Sequence, residues 1–169
     1  MKAGEIIRTI VLSLFGIGFT LFLQPLCYEN RWLGLGTSLG DLKNKSAITN
    51  WINNEYPKGA WIVLGVCLVT MILWYVITAF FASGRAEEFM KWRLIWFLLL
   101  LLPIAGIGIA LFFNQSSPTG SKDAQISLAL FYVFDTLWLY WLTTVTSSPT
   151  PVKYVPPGAF PIRKGILRD

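Results

Sequence analysis

Histidine is absent from the chain, and only two of its 169 residues are cysteine. The first absence removes histidine proton relays, bis-histidine haem, the common zinc sites and both Ser-His-Asp and Cys-His catalysis. Cys27 and Cys67 form no CxxC pair, so neither a redox nor a zinc motif is indicated, and both read as small apolar side chains. Charge is scarce as well, at 14% of residues against about 25% in an ordinary soluble domain. With 54% hydrophobic content, a chain of this size cannot hide its apolar surface inside one globule.

What is present is long apolar runs. Four of them, 9–28, 60–82, 94–113 and 126–145, reach the roughly 20 residues that a bilayer-spanning helix needs. A soluble helix keeps one polar face, and these runs have none. The expected fold class is therefore an all-α integral membrane protein with four transmembrane helices in residues 1–146 and an extended proline-rich tail over 147–169. The first run follows Lys2 and Arg8 as a signal peptide would, but "LQPLCYENR" offers no small-residue cleavage site. It is expected to stay as a permanent span.

Lysine and arginine near span ends favour the cytoplasm. Nine of the 14 lie in the N-terminus, loop 83–93 and the tail, against five in loops 29–59 and 114–124, which predicts both termini inside. The net charge of +5 fits contact with anionic lipid, with no direct nucleic-acid role. Tryptophan and tyrosine gather near the run ends, where amphipathic rings settle at headgroup depth. In loop 29–59, "WLGLGTSLGDLKN" reads as irregular and holds the Asn44 sequon, whereas "SAITNWINNEY" has helical spacing. That second part is expected either as a plain connection or as a short helix capped by Ser46, on the membrane surface or across the bundle mouth. "SGRAEEFMKWR" reads as a helix start with Glu87 paired to Lys91, and "NQSSPTGSKDA" as turn.

Three features carry the functional expectations. Asp135 is the one acid inside a span, near mid-depth by run length, or two turns below the cytoplasmic surface if Trp138, Tyr140 and Trp141 mark the headgroups. Intramembrane acids face a bundle interior or water; protonation is the other way to avoid burying the charge. Its candidate partners are Thr136 and the other span hydroxyls, Ser13, Thr20, Thr70 and Thr78, with Arg8, Lys91 and Arg93 as shallow cations. Small-xxx-small pairs, Gly16 with Thr20 and Gly106 with Ala110, mark faces for helix packing or self-association. In the tail, Tyr154, Pro156, Pro157, Phe160, Arg163 and Lys164 form a candidate docking segment, because a merely disordered tail is poor in such apolar residues.

No catalytic, cofactor or metal site is expected, since intramembrane aspartyl chemistry needs two carboxylates. The expected function is a non-enzymatic anchor, assembly or sensor subunit of a bacterial inner membrane. It would self-associate as a homo-oligomer and recruit a cytoplasmic or membrane protein through its tail, as a membrane sensor of a bacterial defence-type system would. The alternative is a small oligomeric channel or transporter with Asp135 lining a polar path.

Overall fold

Hydrocarbon accepts no hydrogen bonds, so an apolar run placed in it must bond its own backbone, and a helix does that locally. The structure, a computed structural model, describes residues 3–32, 34, 45–115 and 122–167. Among the described residues there is no strand. Four helices are long and apolar enough to cross a membrane: Ala3–Glu29, Ser46–Phe81, Ala86–Asn114 and Gln125–Ser147. They are called spans one to four below, span two being taken as its second helix, Tyr56–Phe81. Asn44, residues 35–43 of the glycine-rich segment and residues 116–121 of the second turn lie outside the described residues.

Each span overruns its apolar core. Span one begins at Ala3, not Thr9, because the fold gives partners to two charges in its first turns: Glu5 pairs with Arg163 at 3.0 Å, and Arg8 donates to the Thr146 carbonyl at 2.7 Å. The outer segment forms a helix, Lys45–Asn54, with Ser46 inside it and not capping it. Its Ile48 and Trp51 are buried against Tyr28 and Tyr56, so it lies across the bundle mouth. At the other end, Ala86–Glu88 is a single tight turn leading into Phe89–Gln115, which continues through Pro103. There Glu88 accepts from the Trp92 indole at 3.0 Å, and Lys91 sits over the Trp92 ring instead of pairing with Glu87.

Spans two and four touch across the centre; span one flanks them on one side and span three on the other. Outside this core, Phe22, Phe80, Phe112 and Leu130 stand exposed, the surface expected of a protein whose solvent is lipid. Inside, two apolar clusters divide the bundle. One surrounds Tyr28, Tyr56, Leu64 and Tyr132 toward loop 29–59, and the other surrounds Trp74, Trp92, Trp96 and Tyr140 toward the tail.

The second cluster revises the headgroup reading of the aromatics. Tyr140 is fully buried, stacks on Trp96 and donates to the Trp96 carbonyl at 2.9 Å. Trp138 donates to the Leu12 carbonyl in mid-span at 3.0 Å. These rings fasten helices to one another, so their positions are no measure of the depth of Asp135. The indoles of Trp74 and Trp96 donate to Ser148 and Thr144, at 2.9 and 3.0 Å. Trp74→Phe is expected to lower stability by about 1 kcal/mol, read as an earlier unfolding midpoint in a detergent titration.

The tail is not extended. Residues after Ser148 fold into a turn at Thr150–Val152, a helical turn at Ala159–Pro161 and a wider turn at Ile162–Leu167. Proline forbids a long helix but fits the opening position of a short one, and the positive φ of 83° at Gly158 lets the chain reverse into the second turn. Val152, Val155 and Ala159 are buried. An extended polyproline path would leave them in solvent; the bundle end gives them apolar surface to cover.

Candidate functional site

Asp135 lies at the centre of the molecule, 1% exposed. Gln24 of span one donates its side-chain amide to Asp135 Oδ1 at 2.8 Å. The Tyr56 hydroxyl of span two donates to Gln24 Oε1 at 2.6 Å and to the Thr20 carbonyl at 2.7 Å. Thr20, whose hydroxyl donates back to the Gly16 carbonyl at 2.9 Å, lies within interaction range of the carboxylate. The second carboxylate oxygen, Oδ2, has no hydrogen-bond partner among the described residues. Three spans thus converge on one acid, and the acid is only half satisfied.

The local backbone places these groups. Span one switches to π-helical turns over Phe19–Leu23, and span four does the same over Leu137–Leu142. The first interval holds Thr20 and ends beside Gln24; the second starts two residues after Asp135. π-turns insert an extra residue and re-aim the side chains that follow, and they occur often at functional sites. Around them, further polar pairs tie the spans toward loop 29–59. Tyr28 shares a hydrogen bond with Ser127 at 2.9 Å, and Asn114 donates to the Tyr132 hydroxyl at 3.2 Å.

A groove of about 360 Å³ opens beside this site between span one and the start of span two. Leu21, Phe22, Pro25 and Ile52 line it, with Tyr56 in its wall.

A second polar centre joins the two chain ends. Arg163 is 1% exposed, donates to Glu5 Oε1 at 3.0 Å and to the carbonyls of Ser148 and Lys153 at 2.8 and 3.3 Å. Thr9 and Tyr75 lie beside it, hydrogen-bonded at 3.3 Å, and Tyr75 donates to the Thr143 carbonyl at 3.1 Å. Trp141 fixes the preceding turn by donating to the Pro157 carbonyl at 2.9 Å. Every residue from Thr143 to Pro149 is buried.

Comparison with family models, curated proteins and solved structures gives no match.

Of the residues singled out in the sequence, Asp135 and Thr20 come together. Thr136 does not join them; its hydroxyl faces the Cys67 thiol at 3.5 Å. Thr70 and Thr78 donate to their own helix, Ser13 donates to the Met71 sulfur, and Arg8 is spent on Thr146. Gly16 faces Leu139 and Trp138, and Gly106 faces Val66, with Ala110 buried nearby. Both small-residue faces are spent within the chain, span one on four and span three on two. In the tail, Pro156 and Arg163 are buried, Tyr154 and Pro157 are half-buried, and Phe160 and Lys164 are exposed.

Gln24, Tyr56, Glu5 and Tyr75 were missed. Gln24 carried a readable signal, an amide inside an otherwise apolar run. Glu5 carried the opposite one, an acid where a membrane helix should not yet have begun.

Proposed function

We propose that this chain is a non-enzymatic subunit of a bacterial inner membrane, with both termini inside, that presents a folded C-terminal cap to a protein partner. The carrying observation is the buried Arg163–Glu5 pair. It clamps residues 150–167 to the bundle while Phe160 and Ile166 stay 55% and 75% exposed. Lys164 lies over the Phe160 ring at 5.2 Å, and Lys153 lies over the Tyr154 ring at 4.7 Å. An apolar tip rimmed by cations suits a partner with an acidic-edged apolar pocket. Self-association belongs to the lipid-facing surfaces, since the small-residue faces are used internally.

The test is recovery of partners from native membranes in nanodiscs, read by mass spectrometry. The intact chain is expected to hold a partner that is lost with Phe160→Glu/Ile166→Glu and with deletion of residues 150–169. Co-purification of lipid alone with the intact chain would overturn the reading.

The half-satisfied Asp135 favours one second reading, a polar path for protons or ions. In proteoliposomes it requires a flux that Asp135→Asn abolishes, whereas the cap reading expects no flux from either chain.

A further inference from the structure

The hydrogens around Asp135 do not add up if the acid is ionised. Tyr56 has one hydroxyl hydrogen, yet two acceptors stand within 2.7 Å of its oxygen, the Thr20 carbonyl and Gln24 Oε1. Gln24 directs its amide nitrogen at Asp135, so in this arrangement one acceptor beside Tyr56 must share or go without. At the same time Asp135 Oδ2 is buried with no hydrogen-bond partner among the described residues, the nearby Thr20 hydroxyl being committed to the Gly16 carbonyl. An unsatisfied carboxylate oxygen in a low-dielectric interior is far costlier than an unsatisfied carbonyl of a neutral acid.

The Gln24 amide is nearly symmetric in shape, and a half-turn about its last bond exchanges nitrogen and oxygen without displacing a neighbour. After that turn, Gln24 Nε2 donates to the Tyr56 oxygen and Tyr56 gives its single hydrogen to the Thr20 carbonyl. Gln24 Oε1 then faces Asp135 Oδ1 at the distance where the amide nitrogen stood. Two oxygens 2.8 Å apart form a hydrogen bond only if one of them carries a proton, and the amide oxygen does not. Each of the three bonds then has its own hydrogen, on condition that Asp135 is protonated.

We propose that Asp135 is a proton-binding site, with Gln24 as the amide that turns: it donates to the carboxylate as the structure has it and accepts from the acid once the proton is bound. The ligand is a proton and not a metal cation. A cation needs several oxygens at once, and here Oδ1 already has a hydrogen-bond partner and only Oδ2 is open. The ionisable groups facing Asp135 are Tyr56 and Cys67 on span two and Tyr132 on its own span. Each of these is neutral when protonated, and none supplies a positive charge. Span one contributes Thr20 and Gln24, neither of them titratable, and span three reaches the cluster through Asn114, which donates to Tyr132.

Loss of the proton returns Gln24 to the over-subscribed arrangement beside the π-turns of spans one and four. The proton goes to water, no other covalent bond is made or broken, and the hydrogen bonds of Gln24 to Asp135 and Tyr56 exchange donor for acceptor. This inference does not depend on the cap, and it adds a site to the proposed function.

The experiment is infrared spectroscopy of the full chain in nanodiscs across a pH series. The expected result is a protonated-carboxyl stretch at neutral pH that disappears reversibly in alkali and is missing from Asp135→Asn. Gln24→Leu is expected to keep the band and move it to higher frequency, because the acid loses its acceptor. If Asp135→Asn retains the band, or the parent chain shows none at neutral pH, the proposal is wrong. The measurement reads one carboxyl whether or not any partner is found, so its failure is distinct from failure of the cap reading.

Discussion

Replacing Arg163 with alanine is expected to free residues 150–167 from the bundle and to cost about 3–5 kcal/mol, the usual penalty for stranding one member of a buried ion pair. Glu5 and Arg163 have side chains only 6% and 1% accessible, so the surviving carboxylate would stay in the interior without its guanidinium. The Ser148 and Lys153 carbonyls would lose donors as well. Two measurements check this: the unfolding midpoint, and the rate of chymotrypsin cleavage after Tyr154, which should rise sharply once the cap detaches. The double variant Glu5→Gln/Arg163→Met removes both charges and should be milder than Arg163→Ala, because no buried charge is left over. An unchanged cleavage rate in Arg163→Ala would mean that the apolar contacts of Val152, Val155 and Ala159 hold the cap alone.

Gly59→Val should be the most damaging small-to-large change toward loop 29–59. A Cβ at Gly59 would run into the Tyr132 hydroxyl and the Asn114 amide. Those groups are bonded to each other at 3.2 Å and are brought there by spans four and three. Span two therefore approaches both neighbours at a point with no room for a side chain. Overpacking costs about 1–3 kcal/mol, and breaking the Asn114–Tyr132 bond in a buried setting adds about 1 kcal/mol. Gly65→Val on the same span is the control, since nothing lies within 4 Å of a Cβ there. The pair of variants should separate clearly in an unfolding titration, with Gly65→Val close to the parent chain.

The spans were legible because hydrocarbon imposes a length and forbids unpaired backbone, and 94–113 or 60–82 leave no other way to meet both demands. Their ends were not, because run length treats every charge as a boundary. Glu5 and Arg8 are inside span one only by virtue of Arg163 and the Thr146 carbonyl, partners more than a hundred residues away. Asp135 was legible as a residue needing explanation, while its partners were not. Gln24 sits 111 positions distant, and a π-turn decides where its side chain aims, which no apolar pattern encodes. The tail misled for a related reason. Its prolines exclude a long helix, and that local rule says nothing of three short turns laid on a neighbouring surface. "TTVTSS" at 143–148 is polar in composition, and its last three residues lie beyond the apolar run. It is buried because its hydroxyls bond back to their own helix, as Thr144 does to Tyr140 and Thr146 to Leu142, and so need no water.

The Glu5–Arg163 pair also sets a schedule for biosynthesis. Its members are 158 positions apart, and at about 5–20 residues per second a ribosome needs roughly 10–30 s to follow one with the other. Throughout that interval the leading acid lacks the Arg163 guanidinium that holds it in the finished fold. The opening turns of the first helix therefore reach their final packing only after the last segment has emerged. A nascent chain cut short before the arginine should keep its amino end open to water-soluble labels, and the finished protein should close it.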